Sequence, residues 1–541
     1  MARPGDRFAL PILIFILVFA TGQLAYNVFT LDTWMDEGKY LMKGYWYVTG
    51  QLTPYSTVDP TFYTPLSFYP VGMMERLFGS GYLAGRILMA AFGVACLVLV
   101  YLTGARIGGS RLAGVAATAL VAGYPVTLTY FATATPFAMV SCLSVLLVYL
   151  LLTVKSRRLA FASSGVILWA LLFTRPDMLP FAMVPAGWAL LIEPNRKLEC
   201  LAIAALTCLI SSAVTLWAFG PGLVDVVLDV PGIAQIAAAM GVAPAPISGI
   251  LPFTVSPLDP VLRPGEIPVY FYVYFIRPYR WLVLITLAMI AARIISASRD
   301  PGERRIEPID LILAYFWITA ILHYLLSIHY CVNCIIPYTN FFLPLGALAT
   351  AGLLREISRR TQDGKPVYAA LGAVFVAAAI IQAFPSFPTL LRPQSGKVQT
   401  TAVELSTKLR PNLPATGRVL VLCESVEAAQ AVWLAGGVIE PRSLYLPTNF
   451  REPKPGVTQD ERDKINSVIW EAGFWSEDTM RRALPRDYRT LLVERRSSYG
   501  DTFAATVRDG IPFGDLVSKH FRLIAPLKVG ERTFELYQRR D

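Results

Sequence analysis

Two adjacent carboxylates, Asp36 and Glu37, are followed closely by Lys39 and Lys43 in a stretch that is rich in aromatic residues. The stretch comes after the first long apolar segment, and charges beside a bilayer are costly, so they usually face a cavity or a polar headgroup. A carboxylate can take a proton from a hydroxyl group, and fixed positive charge stabilises oxygens that gain negative charge. Lysines four residues apart share one face of a helix. The pattern therefore favours proton transfer beside an anion-binding site.

Each of these charged groups also has a structural interpretation. A carboxylate pair in the first turn of a helix stabilises the positive end of the helix dipole. Lysines beside a membrane extend their ammonium groups toward lipid headgroups. The aromatic residues that follow favour the chemical interpretation for Asp36 and Glu37, whereas both interpretations stay open for Lys39 and Lys43.

Two arginines, Arg277 and Arg280, lie in an aromatic run at residues 270–281. The guanidinium fork suits phosphate, but arginines in an aromatic belt also anchor proteins at a membrane surface. Arg175 and Asp177 are separated by one proline and stand between two apolar stretches. We expect these two residues to form an internal ion pair that caps the turn.

Residues that bind metals are few and scattered. The three histidines do not cluster, so the sequence predicts no histidine metal site. Cys331 and Cys334 form a single C-x-x-C motif, which excludes a zinc site with four thiolate ligands. A local disulfide and two free thiols remain alternatives for this motif. The sequence requires no metal or other cofactor.

The composition is that of a membrane protein. Of 541 residues, 55% are hydrophobic and 16% are charged, and the mean hydropathy is +0.50. A soluble chain is nearer half apolar and a quarter charged, and here the apolar residues form long runs. Most of the net charge of +10 comes from short basic loops between those runs. That pattern sets membrane orientation, so we predict contacts with membrane lipids and no binding to nucleic acid.

The apolar runs predict an α-helical polytopic protein with about eleven transmembrane helices. The basic loops place the N-terminus in the cytoplasm and the C-terminal part outside it, in a protein of the inner (plasma) membrane. A short outer loop is predicted at 329–336. The predicted spans are 8–29, 81–103, 112–131, 137–154, 159–173, 178–192, 199–219, 281–295, 309–328, 338–354 and 367–384.

We expect a transmembrane domain at 1–390 and an extracytoplasmic α/β domain at 391–541. The transmembrane domain would carry a first outer loop at 31–80 and a long outer segment at 220–280, in which residues 225–240 have the pattern of an interfacial helix. In the C-terminal domain, the predicted strands are 418–423, 489–494, 521–524 and 533–537, and the predicted helices are 425–435 and 513–520.

Several motifs occur together in the first hundred residues, and weaker ones follow later. They are Asp36-Glu37-Gly38-Lys39-Tyr40, Pro54-Tyr55, Thr64-Pro65-Leu66-Ser67-Phe68-Tyr69, Leu77-Phe78-Gly79, Ala84-Gly85-Arg86, Thr174-Arg175-Pro176-Asp177 and Tyr338-Thr339-Asn340-Phe341-Phe342-Leu343-Pro344. In this order they resemble the GT-C-fold glycosyltransferases of the protein O-mannosyltransferase and lipid A aminoarabinose transferase type. The resemblance covers most of residues 8–390.

The resemblance implies a GT-C fold and a donor of the undecaprenyl- or dolichyl-phosphate-monosaccharide type. It implies inverting transfer on the outer face of the membrane, with Asp36 as the base and Glu37 supporting it. Where many relatives have a lysine, this chain has Thr64, which shifts the expected donor-phosphate contacts to Lys39, Lys43, Arg277 and Arg280. The substrate cleft is expected to include Tyr40, Asp59, Tyr63, Thr64, Arg175, Asp177, His329, Tyr330 and Asn340.

Two further positions depart from the pattern of these relatives. Residues 132–136 lack the second acid that many relatives carry, so Asp59 or Asp177 would substitute for it, or none is needed. Asn340 stands where an arginine is usual. The donor sugar or the acceptor is therefore expected to differ from those of the best-known members, and bacterial arabinofuranosyl- and galacturonosyltransferases are plausible kin.

These expectations predict an integral membrane glycosyltransferase that moves a sugar from a polyprenyl phosphate to a glycan, lipid or protein acceptor. The main alternative is a transporter or flippase of a lipid-linked sugar. A transporter would more often show internal repeats and place charge in the middle of a span. A third alternative is a non-catalytic relative that holds a partner through its C-terminal domain.

Overall fold

Helices dominate the structure, which is a computed structural model. The described residues are 6–31, 35–55, 64–79, 82–228, 239–240, 254–255, 266–299, 306–330, 335–362, 377, 397–414, 417–423, 426–441, 443, 452–471, 476–495, 507–508 and 511–540.

The elements are named in chain order. The helices are α1 (Asp6–Thr30), α2 (Met35–Thr49), α3 (Tyr69–Phe78), α4 (Leu83–Gly108), α5 (Arg111–Ala122), α6 (Pro125–Phe131), α7 (Phe137–Thr153), α8 (Arg157–Leu172), α9 (Met183–Gly187), α10 (Lys197–Phe219), α11 (Pro221–Leu228), α12 (Ile267–Phe271), α13 (Arg280–Arg299), α14 (Pro308–Tyr330), α15 (Ile335–Gln362), α16 (Lys397–Leu409), α17 (Val426–Leu434), α18 (Gln459–Glu471), α19 (Glu477–Asp487) and α20 (Phe513–His520). The strands are β1 (Thr254–Val255), β2 (Arg418–Leu422), β3 (Val438–Ile439), β4 (Glu452–Pro453), β5 (Thr490–Glu494), β6 (Val507–Arg508), β7 (Ile511–Pro512), β8 (Phe521–Val529) and β9 (Arg532–Arg539).

Long apolar helices confirm a multi-pass membrane protein. Five helical stretches within the described residues are long and apolar enough to cross a membrane, namely Phe8–Thr30, Leu83–Gly108, Pro194–Phe219, Pro308–Leu325 and Tyr338–Arg359. A sixth forms if Ile267–Ile276 and Arg280–Ser296, which bend by 96° at a short break, count as one span. The predicted number of about eleven spans is not confirmed. The predicted span at 367–384 lies outside the described residues.

Two predicted spans are irregular because proline interrupts them. The predicted span at 112–131 divides into α5 and α6, with Pro125 as the first residue of α6. The predicted span at 178–192 consists of a 3₁₀ turn at Pro176–Ala182, α9, and a π turn at Trp188–Ile192. Proline has no N–H group to donate and crowds the preceding turn, so a helix ends or changes its form there.

The chain divides into two compact units. The first unit comprises Met1–Phe29, Arg86–Trp217 and Pro260–Arg392, and the second comprises Thr30–Gly85, Ala218–Asp259 and Pro393–Asp541. The first unit therefore contains the long apolar helices. The second unit combines the C-terminal part of the chain with two stretches that are distant from it in sequence.

Small residues let helices of the first unit approach closely, as is usual for helix packing in membranes. A Cβ atom added to Gly114 of α5 would lie 2.3 Å from the backbone oxygen of Tyr101 in α4. A Cβ atom added to Gly165 of α8 would lie 2.3 Å from the backbone oxygen of Ala204 in α10. These two contacts fix α4 against α5 and α8 against α10.

The second unit is built on a five-stranded mixed sheet with the order β3-β2-β5-β9-β8. Strand β2 pairs in parallel with β3 and β5, and β9 pairs antiparallel with β5 and β8. The predicted strands and the two predicted helices of this domain are all present, with bounds that shift by a few residues. The prediction of an α/β fold for the C-terminal domain is confirmed.

Alternate residues of β2 enter two different hydrophobic cores, as the period of two in a strand requires. Val419 and Val421 pack with α2, α16 and α17, whereas Leu420 and Leu422 pack with α19 and α20. The first of these cores includes Tyr40, Trp46 and Phe68. The stretch that was predicted as a first outer loop is thus part of the core of the second unit.

The long outer segment also joins this unit. Thr254 and Val255 of β1 pair antiparallel with Pro453 and Glu452 of β4. Residues 225–228 of the predicted interfacial helix belong to α11, and most of the rest of that prediction lies outside the described residues.

Candidate active site

Helix α2 carries the carboxylates and lysines that the sequence singled out. The helix begins at Met35, so Asp36 and Glu37 lie in its first turn. The side chain of Asp36 lies outside the described residues, as do Asp59, Tyr63, Cys331 and Cys334 and the side chains of His329 and Tyr330. The expected roles of these residues therefore remain predictions.

The charged side chains of α2 that the structure describes are buried and not exposed to solvent. Glu37 and Lys43 are 0% exposed and Lys39 is 3% exposed. The helix packs its aromatic residues into the core of the second unit, where the Tyr40 and Phe68 rings lie 5.3 Å apart and the Tyr45 and Trp433 rings 5.5 Å apart. Charged residues are rarely buried to this degree unless they are paired or functional.

Thr64 stands shortly before α3, the helix that packs against α2. Thr64 precedes a 3₁₀ turn at Pro65–Ser67 that leads into α3. The Thr64 hydroxyl is buried and has no hydrogen-bond partner within the described part of the chain. A buried hydroxyl without a partner costs free energy, so this position suits contact with a polar ligand.

In the first unit, Arg175 and Asp177 form the ion pair that the sequence predicts. Arg175 Nε donates to Asp177 Oδ1 at 3.0 Å, and Arg175 Nη2 donates to Asp177 Oδ2 at 2.7 Å. The guanidinium carbon lies 5.0 Å from the centre of the Tyr338 ring and 5.1 Å from that of Phe341. Arg175 is therefore held by a bidentate carboxylate and by two aromatic rings.

His323 completes this cluster, and sequence reasoning missed it. Its Nε2 lies 3.5 Å from Asp177 Oδ2, and its Nδ1 lies 3.0 Å from the backbone oxygen of Thr319. The side chain is 1% exposed and packs beside Tyr338. The available signal was an ionisable residue inside a predicted span, which is a functional candidate by default.

Asn340 lies in α15, within the predicted span at 338–354. The predicted short loop at 329–336 is shorter in the structure, because α14 extends through His329 and Tyr330, and α15 begins at Ile335. Asn340 is 0% exposed, its backbone oxygen accepts a hydrogen bond from Ser141 Oγ at 2.5 Å, and its side chain is hydrogen-bonded to Tyr279. It is thus fixed directly before Phe341 and two residues after Tyr338, both of which contact Arg175.

Arg277 and Arg280 lie at the sharp bend between α12 and α13, and both are exposed. The Arg280 guanidinium carbon lies 5.9 Å from the centre of the Trp281 ring. These two arginines belong to the first unit, whereas Lys39 and Lys43 belong to the second. Exposed guanidinium groups beside aromatic rings suit contact with anions.

The described residues contain no group of three or more His, Cys, Asp or Glu side chains placed to hold a metal ion.

Several solved structures are similar to this chain. ArnT from Cupriavidus metallidurans in the apo state matches with a TM-score of 0.58 and 12% sequence identity, covering 98% of each chain. The same protein bound to undecaprenyl phosphate matches with a TM-score of 0.56, 13% identity and 98% of each chain. The apo oligosaccharyltransferase from Archaeoglobus fulgidus matches with a TM-score of 0.55 and 12% identity, covering 95% of this chain and 73% of that one.

The chain has the GT-C fold. This confirms the fold that the motifs between Asp36 and Pro344 implied. No family model and no curated protein sequence matches the chain. At this level of identity the likeness concerns the fold, and it extends over the C-terminal α/β domain as well as the helices.

Proposed function

We propose that this GT-C protein is an inverting glycosyltransferase that takes a monosaccharide from a polyprenyl-phosphate donor. The acceptor would be a hydroxyl group of a glycan, lipid or protein on the outer face of the inner membrane. The observation that supports this most directly is α2, a helix with Asp36 in its first turn and with Glu37, Lys39 and Lys43 fully or almost fully buried. The full-length likeness to a structure that holds undecaprenyl phosphate supports the donor class.

In the proposed reaction, the Asp36 carboxylate takes the proton of the acceptor hydroxyl. The acceptor oxygen attacks the anomeric carbon from the face opposite the phosphate. The bond between the anomeric carbon and the phosphate oxygen breaks, and its electron pair stays on that oxygen, which releases polyprenyl phosphate. The anomeric configuration inverts in this single displacement. Glu37 would position Asp36.

The leaving phosphate needs positive charge more than it needs an acid. A phosphodiester oxygen leaves as a stable anion, so one carboxylate is sufficient, unlike the pair that a glycosidase uses. Positions 36, 39 and 43 recur at helical spacing on one side of α2. Lys39 and Lys43 would therefore hold the donor phosphate, and a preformed site of this kind stabilises charge that develops in the transition state. Arg277 and Arg280 remain proposed donor-phosphate contacts.

The remaining residues would shape the substrate cleft. The Arg175–Asp177 pair is held by His323, Tyr338 and Phe341, which fixes the direction of its polar groups. The other proposed substrate-cleft residues are Tyr40, Asp59, Tyr63, Thr64, His329, Tyr330 and Asn340. Asp177 already binds Arg175, so Asp59 is the better substitute for a second acid.

The test is sugar release from radiolabelled polyprenyl-phosphate monosaccharides by the purified protein. Wild type is compared with Asp36→Asn, with donor binding measured in parallel. We expect Asp36→Asn to bind the donor and to lose at least about a hundredfold in turnover, the usual size of a general-base effect. Equal turnover in the two proteins would overturn the role of Asp36. Transbilayer movement of the lipid in liposomes without sugar release would instead establish a flippase.

A further inference from the structure

A cavity of about 300 Å³ lies in the C-terminal part of the second unit, between α18 and α19. Its lining comes from two helical stripes. Helix α18 contributes Asp463, Asn466, Ser467 and Trp470, and α19 contributes Thr479, Arg482, Ala483 and Arg486, with Asp487 at its end. Each stripe follows the spacing i, i+3, i+4, i+7, which is one full face of a helix.

Most of the lining is polar and open to solvent. Six of the eight stripe residues are polar or charged, and Asp463, Ser467, Arg482 and Arg486 are exposed. The buried apolar residues of the two helices, such as Ile469 and Leu484, stand at other positions. The cavity is therefore an open groove, and its volume is at the lower end of the range for small-molecule sites.

One buried polar group has capacity left for a ligand. Asn466 is 1% exposed, and its Nδ2 donates to Asp478 Oδ2 at 3.3 Å. Its Oδ1 has no hydrogen-bond partner within the described part of the chain. Since a buried acceptor without a partner is costly, this oxygen is a natural partner for a ligand hydroxyl.

Helix α19, the second of the two lining helices, is fixed in position at both ends. At its start, the Ser476 hydroxyl accepts from the Thr479 N–H at 3.2 Å, and the Ser476 N–H donates to Thr479 Oγ1 at 2.8 Å. At its end, Arg539 Nη1 donates to the backbone oxygen of Arg486 at 2.8 Å. A rigid wall of this kind reduces the entropy lost on binding.

We propose that this cavity binds a neutral saccharide, and that it is an acceptor-glycan subsite. The positive charges of Arg482 and Arg486 are balanced by Asp463 and Asp487, so the lining carries donors and acceptors without net charge. Neighbouring sugar hydroxyls both donate and accept hydrogen bonds, and carboxylate, guanidinium and amide groups satisfy both functions. The half-buried Trp470 offers an indole face to the C–H face of a sugar ring.

The binding of a saccharide stands on the cavity alone, whereas its assignment as the acceptor rests on the proposed glycosyltransferase function. The assignment of this cavity as an acceptor subsite narrows the proposed acceptor from a glycan, lipid or protein to a glycan. It also gives the C-terminal domain a role in recognition.

The test measures binding of methyl glycosides of glucose, galactose, mannose and arabinose to the full-length protein in detergent micelles, by saturation-transfer NMR. Glucuronic acid serves as an anionic comparison. We expect at least one neutral glycoside to bind, and Arg482→Ala and Asp463→Ala each to weaken its binding about tenfold or more, because each removes a charge-assisted hydrogen bond. The matched control is Asp460→Ala, an exposed acidic residue on the same helix outside the cavity, which should leave binding unchanged.

Several outcomes would overturn the proposal. They are no binding of any neutral glycoside, binding of glucuronic acid alone, or equal binding in the cavity variants and the control. Thermal unfolding of each variant separates loss of the site from loss of the fold, and Trp470→Phe gives a variant that keeps the apolar packing of this side chain. The two proposals can fail separately. If wild type releases no sugar from any donor, the glycosyltransferase function is refuted. If Asp36→Asn still binds a saccharide in that case, the saccharide site stands.

Discussion

Gly44 and Gly72 are in backbone contact where α2 meets α3. A Cβ atom added to Gly72 would lie 2.0 Å from the carbonyl carbon of Gly44, and one added to Gly44 would lie 2.5 Å from the carbonyl oxygen of Phe68. Backbone atoms cannot yield as a flexible side chain can. This contact therefore sets the position of the helix that carries Asp36, Lys39 and Lys43.

Gly72→Ala should separate the two helices and destabilise the second unit. Overpacking of this kind costs about 1–3 kcal/mol. We expect a lower unfolding temperature of the purified protein and a fall in donor turnover, because α2 would shift. Gly514→Ala is the matched control, since a Cβ atom there meets nothing within 4 Å. A helical alanine is favoured over glycine by about 0.5–1 kcal/mol, so the control should be neutral or slightly stabilising. Equal unfolding temperatures for the two variants would show that the contact has no such role.

Lys43→Gln should weaken donor binding more than it slows turnover at saturation. The ammonium group of Lys43 is fully buried in α2, and a charge-assisted hydrogen bond to phosphate contributes about 1.5–3 kcal/mol. We expect KM for the polyprenyl-phosphate sugar to rise at least about tenfold. Lys43→Arg keeps the charge and should recover part of the affinity. Lys519→Gln, on the exposed side of α20, should match wild type. Unchanged KM in Lys43→Gln would remove this residue from the phosphate site.

Much of the fold could be predicted from the sequence because it depends on local periodicity. Short apolar runs such as that of β2 predict the strands of the C-terminal sheet, and long apolar runs predict the helices of the first unit. The inclusion of α2 in the core of the C-terminal part could not be predicted. It depends on contacts such as that between Tyr45 and Trp433, which lie far apart in the chain and leave no periodic signal.

The candidate site was predictable to a similar extent. Adjacent charges such as Asp36 and Glu37, or Arg175 and Asp177, are visible as short-range patterns. His323 was missed because its partner Asp177 is on a different element, and a single histidine in an apolar run is usually a core residue. The burial of Lys39 and Lys43 was missed because a charged, aromatic segment after a span is typical of a membrane-surface loop.

A double-mutant cycle on Arg175 and Asp177 measures how far the first unit depends on their ion pair. The side chains are 12% and 19% exposed, and a buried pair that loses one partner leaves an uncompensated charge. We expect Arg175→Met and Asp177→Asn each to lower the unfolding temperature, and the double variant to lose less than the sum of the two. A coupling energy of about 1–3 kcal/mol is expected. Additive effects would mean that Arg175 is held by the Tyr338 and Phe341 rings alone.

Arg532 joins two strands and a helix of the second unit through carboxylates. Its Nε and Nη2 donate to Glu494 at 2.6 and 3.0 Å, and its Nη1 binds Glu427. Burial opposes the charge on Arg532, but hydrogen bonds to Glu494 and Glu427 outweigh it and raise the pKa of this guanidinium further above its ordinary value. The group therefore stays protonated at neutral pH.

Arg532→Met should destabilise the second unit by about 3–5 kcal/mol, because Glu494 and Glu427 would remain buried without their cation. The measurement is the unfolding temperature of each purified protein at neutral pH. The control is Arg522→Met, whose exposed guanidinium group donates to Gln538 at 3.0 Å; it should change the unfolding temperature little. Equal unfolding temperatures for Arg532→Met and the control would show that the contacts of Arg532 with Glu494 and Glu427 do not stabilise the second unit.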